Sequence, residues 1–190
     1  MQEHKKDDSA LFGFWIYLMT DLLMFAVLFA VYAVLRDSTF GGITIKEIFN
    51  PPFVLVETFI LLISSFICGL AMMAARANNV RKTVMLLLVT VSLGLVFVGM
   101  ELYEFVHLIF EGSDWTKSAF LSSFFALTGT HGLHILIGCI WIAIILLYVR
   151  KRGLTQTNLQ KISMAGLFWH FLDIVWIFIF TIVYLMGGLS

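Results

Sequence analysis

Charge is scarce in this sequence of 190 residues: 13% are Asp, Glu, Lys or Arg, against about a quarter in an ordinary soluble domain. With 61% hydrophobic residues and a mean hydropathy of +0.98, there is too little polar side chain to cover a water-facing surface. Formal net charge is zero, so nothing electrostatic points to a nucleic-acid partner. Cysteine is nearly absent. Cys68 and Cys139 sit deep in apolar runs and in no CxxC or Cys/His spacing, which signals neither a disulfide framework nor a zinc site. The two prolines are adjacent, Pro51 and Pro52, and no Gly/Ser/Pro-rich linker divides the chain, so a single domain over residues 1–190 is expected. A Gly-rich phosphate loop, a Ser/His/Asp constellation outside the apolar runs and a loop long enough to hold a substrate are also missing. The segment Met1 to Ser9 is polar, lacks an A-x-A-like cleavage site and precedes an apolar stretch too long for a signal-peptide core; it is expected to be retained.

Long apolar runs are what the sequence has in quantity. Crossing a bilayer takes about 20 mostly apolar residues in a helix, since lipid cannot satisfy free backbone groups. Five segments meet this requirement, at about 10–35, 53–75, 83–110, 118–149 and 162–187, which predicts an all-α integral membrane bundle. Ser9 is placed to cap the first helix, and Asn50-Pro51-Pro52 introduces the second. Alternate loops differ in positive charge. Lys5, Lys6, Arg76, Arg81, Lys82, Arg150, Lys151, Arg152 and Lys161 fall on one side, and only Arg36, Lys46 and Lys117 on the other. The positive-inside rule then puts the N-terminus in the cytoplasm and the C-terminus outside. Ser65 with Gly69, Gly129 with Gly132, and Gly138 are spaced to let helices approach closely. Trp15, Trp115, Trp141 and Trp169 are candidate interface anchors, whereas Trp176 lies too deep for that belt.

Nine ionisable residues lie within these spans: Asp21, Glu57, Glu101, Glu104, His107, His131, His134, His170 and Asp173. Each is costly in lipid and is expected to face protein, water or a partner subunit. Glu101, Glu104 and His107 are expected to share one side of their helix, His131, His134 and Gly138 to form a similar stripe, and His170 to meet Asp173. Three roles fit such groups: pairing that fixes packing, a proton relay, or haem and metal ligation. Scatter over five helices favours packing. His131 and His134 are one turn apart, which is not the repeat along facing helices that a two-haem bundle needs. On the residues alone, an accessory subunit, a stand-alone proton-coupled transporter and a haem-binding membrane anchor all stay open.

Particular strings narrow this. Phe12 to Asp21 (FGFWIYLMTD), Phe53 to Phe59 (FVLVETF), Gly99 to Phe105 (GMELYEF), Phe124 to His134 (FFALTGTHGLH) and Phe168 to Trp176 (FWHFLDIVW) resemble subunit III of the haem-copper respiratory oxidases. The likeness is greatest to the cytochrome bo-type ubiquinol oxidases, and the strings come from all five spans in the family's order. The resemblance implies an accessory chain that has no catalytic centre and binds neither haem nor copper, within a proton-pumping quinol oxidase that reduces oxygen to water. Haems and copper are then expected in subunit I, with subunits I, II and IV and membrane phospholipids as partners, in a bacterial inner membrane. It further implies that the chain stabilises subunit I during turnover and supports proton uptake. Asp21 matches a carboxylate that lies near the contact with subunit I, where many cytochrome c-oxidising relatives have Glu; Glu104 matches another family carboxylate. Those relatives commonly have seven helices, of which this chain has the equivalent of the last five.

Overall fold

The computed structural model describes residues 2–38, 51–110 and 115–189. Five long helices dominate: α1 (Gln2–Leu35), α2 (Pro51–Arg76), α3 (Val80–Phe110), α4 (Ala119–Arg152) and α5 (Gln156–Ile179). A π-helical turn, Phe180–Leu185, continues α5, and a last short helix, α6, covers Met186–Leu189. No strand occurs among the described residues. All five long helices contain stretches apolar and long enough to cross a membrane, from Leu11–Leu35 to Gln156–Leu185.

The helix ends follow capping chemistry more closely than hydropathy. α1 begins at Gln2, so Ser9 lies inside the helix and does not cap it. Nothing from Gln2 to Ser9 breaks a helix, and Glu and Lys are good helix formers. α5 starts six residues before Ile162. Thr155 is its N-cap, accepting from the Asn158 backbone N–H at 3.3 Å, while the Asn158 side chain donates to the Gly153 carbonyl at 2.8 Å. Gly153 ends α4 at a φ of 72°, where a side chain would be strained, and returns its N–H to the Val149 carbonyl. The α2–α3 turn uses Asn78 in the left-handed region (φ 56°), a conformation Asn tolerates better than most residues. Ser118 caps α4 by accepting from the Leu121 N–H.

Short turns make neighbouring helices antiparallel. α2 packs on α3, α3 on α4, α4 on α5, and α5 back on α2, which closes a four-helix ring. α1 lies outside the ring, against α4 and more lightly against α5. It is the most exposed span: 22% of its most apolar window is buried, against 44% for α5. The start of α1, the end of α2 and the start of α5 meet at one end of the bundle, here the basic end. At the far end the Phe120 N–H reaches the Ser38 carbonyl, joining the last turn of α1 to the first of α4.

Two indoles on α5 hold the ring together. Trp169 enters a notch formed by Gly94 of α3 and Gly138 of α4; a Cβ on Gly94 would stand 2.6 Å from its ring, and one on Gly138 3.1 Å. Its Nε1 donates to Ser64 Oγ of α2 at 3.1 Å, and Ser64 donates to the Thr90 carbonyl of α3. Trp169 therefore touches all four ring helices and is 1% exposed, so it is no interface anchor. Seven residues on, Trp176 repeats the arrangement. It donates to Thr58 Oγ1 of α2 at 3.1 Å, meets Phe97 of α3 edge-on and stacks on His131 of α4. Trp15 and Trp115 are exposed, while Trp141 is half-buried against Phe14 and Phe168. Cys68 and Cys139 are free and buried.

Filling the notch tests this account. Gly94→Leu should expel Trp169 and lower the thermal midpoint of the detergent-solubilised protein by more than Gly13→Leu, since nothing lies within 4 Å of a Cβ at Gly13. Overpacking of this kind costs about 1–3 kcal/mol. Equal midpoints for the two variants would refute the notch.

Intramembrane polar clusters as the candidate functional site

The nine ionisable residues divide among separate places. On α3, Glu101 is buried, Glu104 half-buried and His107 exposed. The expected common face therefore turns out of the bundle: each step of three residues rotates about 60° around a 3.6-residue helix, so six residues carry His107 to another side. His107 stacks on Tyr103 with the two rings 4° from parallel, and it does not join the buried set. The carboxyl of Glu101 presses on Gly132 of α4, where even a Cβ would collide with it.

Glu57 of α2 lies beside this pair, wholly enclosed. The fourth member of the cluster, with Glu57, Glu101 and Glu104, is a tyrosine. Tyr184, 1% exposed, donates its hydroxyl to Glu104 Oε2 at 3.1 Å. The chain here passes into the wider π-helical turn, and both Val183 and Tyr184, seven and eight residues on from Trp176, are buried. Tyr184 was not among the candidates because a tyrosine in an apolar run is not a costly charge.

His131, His134 and Gly138 also face different neighbours. His131 is fully enclosed between Trp176 (centroids 5.4 Å apart) and Phe97 (5.9 Å), and neither ring nitrogen has a hydrogen-bond partner. His134 looks out of the ring towards α1. Its Nδ1 lies 2.7 Å from the Thr130 carbonyl and so must carry a proton there. That leaves Nε2 facing Asp21 Oδ2 at 3.8 Å. Asp21 is hydrogen-bonded to Tyr17 on its own helix, and Oδ2, the oxygen aimed at the imidazole, is the one without a partner. At 3.8 Å the two are beyond hydrogen-bond distance and form a looser polar contact between the outlying α1 and the ring.

Asp173 and His170 of α5 come together through Ser65 of α2. The Ser65 hydroxyl is 2.7 Å from His170 Nδ1 and also bonds Asp173. A hydroxyl both donates and accepts, so it links an imidazole to a carboxyl in one chain. Gly69, one turn on, gives the His170 ring its room. This cluster lies at the surface, in a shallow groove with Leu62, Phe66 and Met73. On its other side His170 borders an apolar groove of about 480 Å³ between α1 and α5, which Trp15, Phe25, Phe171 and Phe178 also line. Thr58 and Ser64 were the least legible partners, since hydroxyls within an apolar run carry no periodic signal, whereas the spacing of Ser65 with Gly69 had marked it as a place of close helix approach. Among the described residues, no three of His, Cys, Asp or Glu converge closely enough to hold a metal ion.

Such a pattern, with polar groups paired between helices and some left open at the bundle surface, fits a chain built to associate with others. Residues 4–188 match the family model for cytochrome c oxidase subunit III. The protein belongs to that family. It is 52% identical to a cytochrome bo(3) ubiquinol oxidase subunit 3 of Pseudomonas aeruginosa, over 98% of this chain and 89% of the relative. A quinol oxidase subunit 3 of Bacillus subtilis is 49% identical over 92% and 86%. The cytochrome bo(3) ubiquinol oxidase subunit 3 of Buchnera aphidicola subsp. Baizongia pistaciae is 46% identical over 98% and 99%. Within this subunit III family member, the Asp21–His134 contact is the one polar side-chain contact described between α1 and the ring.

A double-mutant cycle measures that contact. Asp21→Asn and His134→Gln, singly and together, should show a coupling of at most about 0.6 kcal/mol in the stability of the solubilised protein, the average for hydrogen bonds between membrane helices, because at 3.8 Å this contact is longer than one. Strict additivity would show that the two side chains do not interact.

Proposed function

We propose that this chain is the non-redox third subunit of a bacterial quinol oxidase, a multi-pass protein of the inner membrane in a complex that oxidises quinol and reduces oxygen to water while translocating protons. The observation that carries the reading is likeness at about half identity, over nearly the whole chain, to third subunits of quinol oxidases from distant bacteria. The chain itself does structural work. Its ring is a finished unit with its own hydrogen bonds, and catalysis belongs to partner chains that hold the haems and copper. Subunits I, II and IV are the partners, with phospholipid filling the remaining surface. The basic end, rich in Lys and Arg, faces the cytoplasm.

The polar residues divide by accessibility. Glu57 and His131 are sealed within the ring and act on its packing. Asp21, His134, His170 and Asp173 reach, or come within a side chain of, the outer surfaces of α1, α4 and α5, where subunit I can meet them. Glu101 and Glu104 face inwards from α3, and exposed His107 meets water or a neighbouring subunit. The relatives named above are all oxidase subunits and do not favour a stand-alone transporter or a haem-binding anchor.

Mild-detergent purification through a tag on this chain tests the reading. The tagged protein should bring down haem-bearing partners and quinol oxidase activity, while the chain expressed alone should be colourless. A Soret band in the partner-free chain would overturn the proposal. Asp21→Ala should weaken assembly or the durability of turnover and leave the haem spectrum intact; normal assembly with a lost haem signal would count against it.

A further inference from the structure

Packing alone does not account for the enclosed carboxyls at the far end of the ring. Glu57 is 0% exposed and neither of its carboxyl oxygens has a hydrogen-bond partner; the same is true of Oε1 of Glu101, which is 4% exposed. Side chains facing this place from each packed element are few. α2 supplies Glu57, α3 supplies Glu101 and Glu104, and the π-helical turn supplies Tyr184, whose hydroxyl donates to Glu104. α4 presents Gly132, which has no side chain to offer, and His131 is occupied by Trp176 and Phe97. Trp176 spends its only donor on Thr58.

Among the described residues, no ion pair joins a Lys or Arg to these carboxyls. Arg76 lies 19 residues along α2 from Glu57, and Lys82 lies 19 residues along α3 from Glu101. At 1.5 Å per residue each is roughly 28 Å away, at the basic end. A buried polar group left without a partner costs about 1–3 kcal/mol, and more when charged. The missing partner must also be small. Glu57 is sealed from the side chains of another subunit, and water or a proton is small enough to reach it. The carboxyls do not converge in the way a metal ion needs.

We propose that Glu57, Glu101, Glu104 and Tyr184 enclose a hydrated proton-binding site. A hydronium ion entering it leaves its proton on a carboxylate and remains as water. The new carboxylic O–H then donates to a neighbouring carboxyl oxygen, turning two opposed acceptors into a donor–acceptor pair. Water fills the remaining hydrogen bonds. Half-buried Glu104 is the way in from the far end, and Tyr184 fixes its carboxyl at the threshold.

Infrared difference spectroscopy on the assembled, detergent-purified complex tests this. The complex should show carboxylic C=O absorption that shifts in D2O, and Glu57→Gln and Glu101→Gln should each remove or displace part of it while haem spectra stay unchanged. Gln-variant spectra identical to the parent in that region would overturn the proposal. High-resolution cryo-electron microscopy of the unsubstituted complex gives an answer that does not depend on variant folding. Water density within hydrogen-bond distance of Glu57 is expected, and a dry enclosure would overturn the proposal.

Discussion

Lipid offers no hydrogen bonds, so each polar atom in the membrane must find its partner within protein. In this chain that constraint falls chiefly on α5. Trp169, Trp176 and Tyr184 point inward in a column, and each gives its single donor to a group on α2 or α3: Ser64, Thr58 and Glu104. These bonds hold α5 to the two helices that a simple up-and-down order would place farther off. The ring closes because indole bulk and an N–H act at the same positions. The glycine notch at Gly94 and Gly138 admits the bulk, and the serine supplies the acceptor.

A closed ring with one loosely attached helix suits a subunit whose purpose is contact. The four ring helices are tied to one another by hydrogen bonds from α5 to α2 and α3. α1 is held differently, by apolar packing and by one imidazole–carboxyl contact at 3.8 Å. The grooves on either side of His170 meet on the outward side of α5. Polar groups there, at the boundary between this chain and its surroundings, are costly in lipid and useful against protein.

How much of this could be read from the sequence depended on the length of the pattern. Five spans were legible because each is a run of two dozen or more apolar residues. The start of α5 was not, because Thr155 and Asn158 cap it in polar sequence that a hydropathy boundary discards. Ser9 misled in the opposite direction, since a good capping residue inside a run of helix formers caps nothing. The candidate site residues were identifiable as costly charges, but their grouping was not. Spacing of three put Glu101 and His107 on one face, yet the rotation accumulated over two such steps separated them, and Tyr184 joined the cluster as an uncharged group in an apolar run. Which helices adjoin in the ring is likewise unwritten in any local pattern, because the contacts that decide it join residues far apart, such as Ser64 and Trp169 with 105 positions between them.

That separation has a consequence for how the molecule is made. Ribosomes release the helices in order, so α2, α3 and α4 emerge with the glycine notch empty and the hydroxyls of Thr58 and Ser64 without their donors. The last span to leave the ribosome carries both indoles and the tyrosine. A chain cut short before α5 therefore loses far more than one fifth of its structure. It keeps every groove and acceptor and lacks all three wedges, so the ring cannot close.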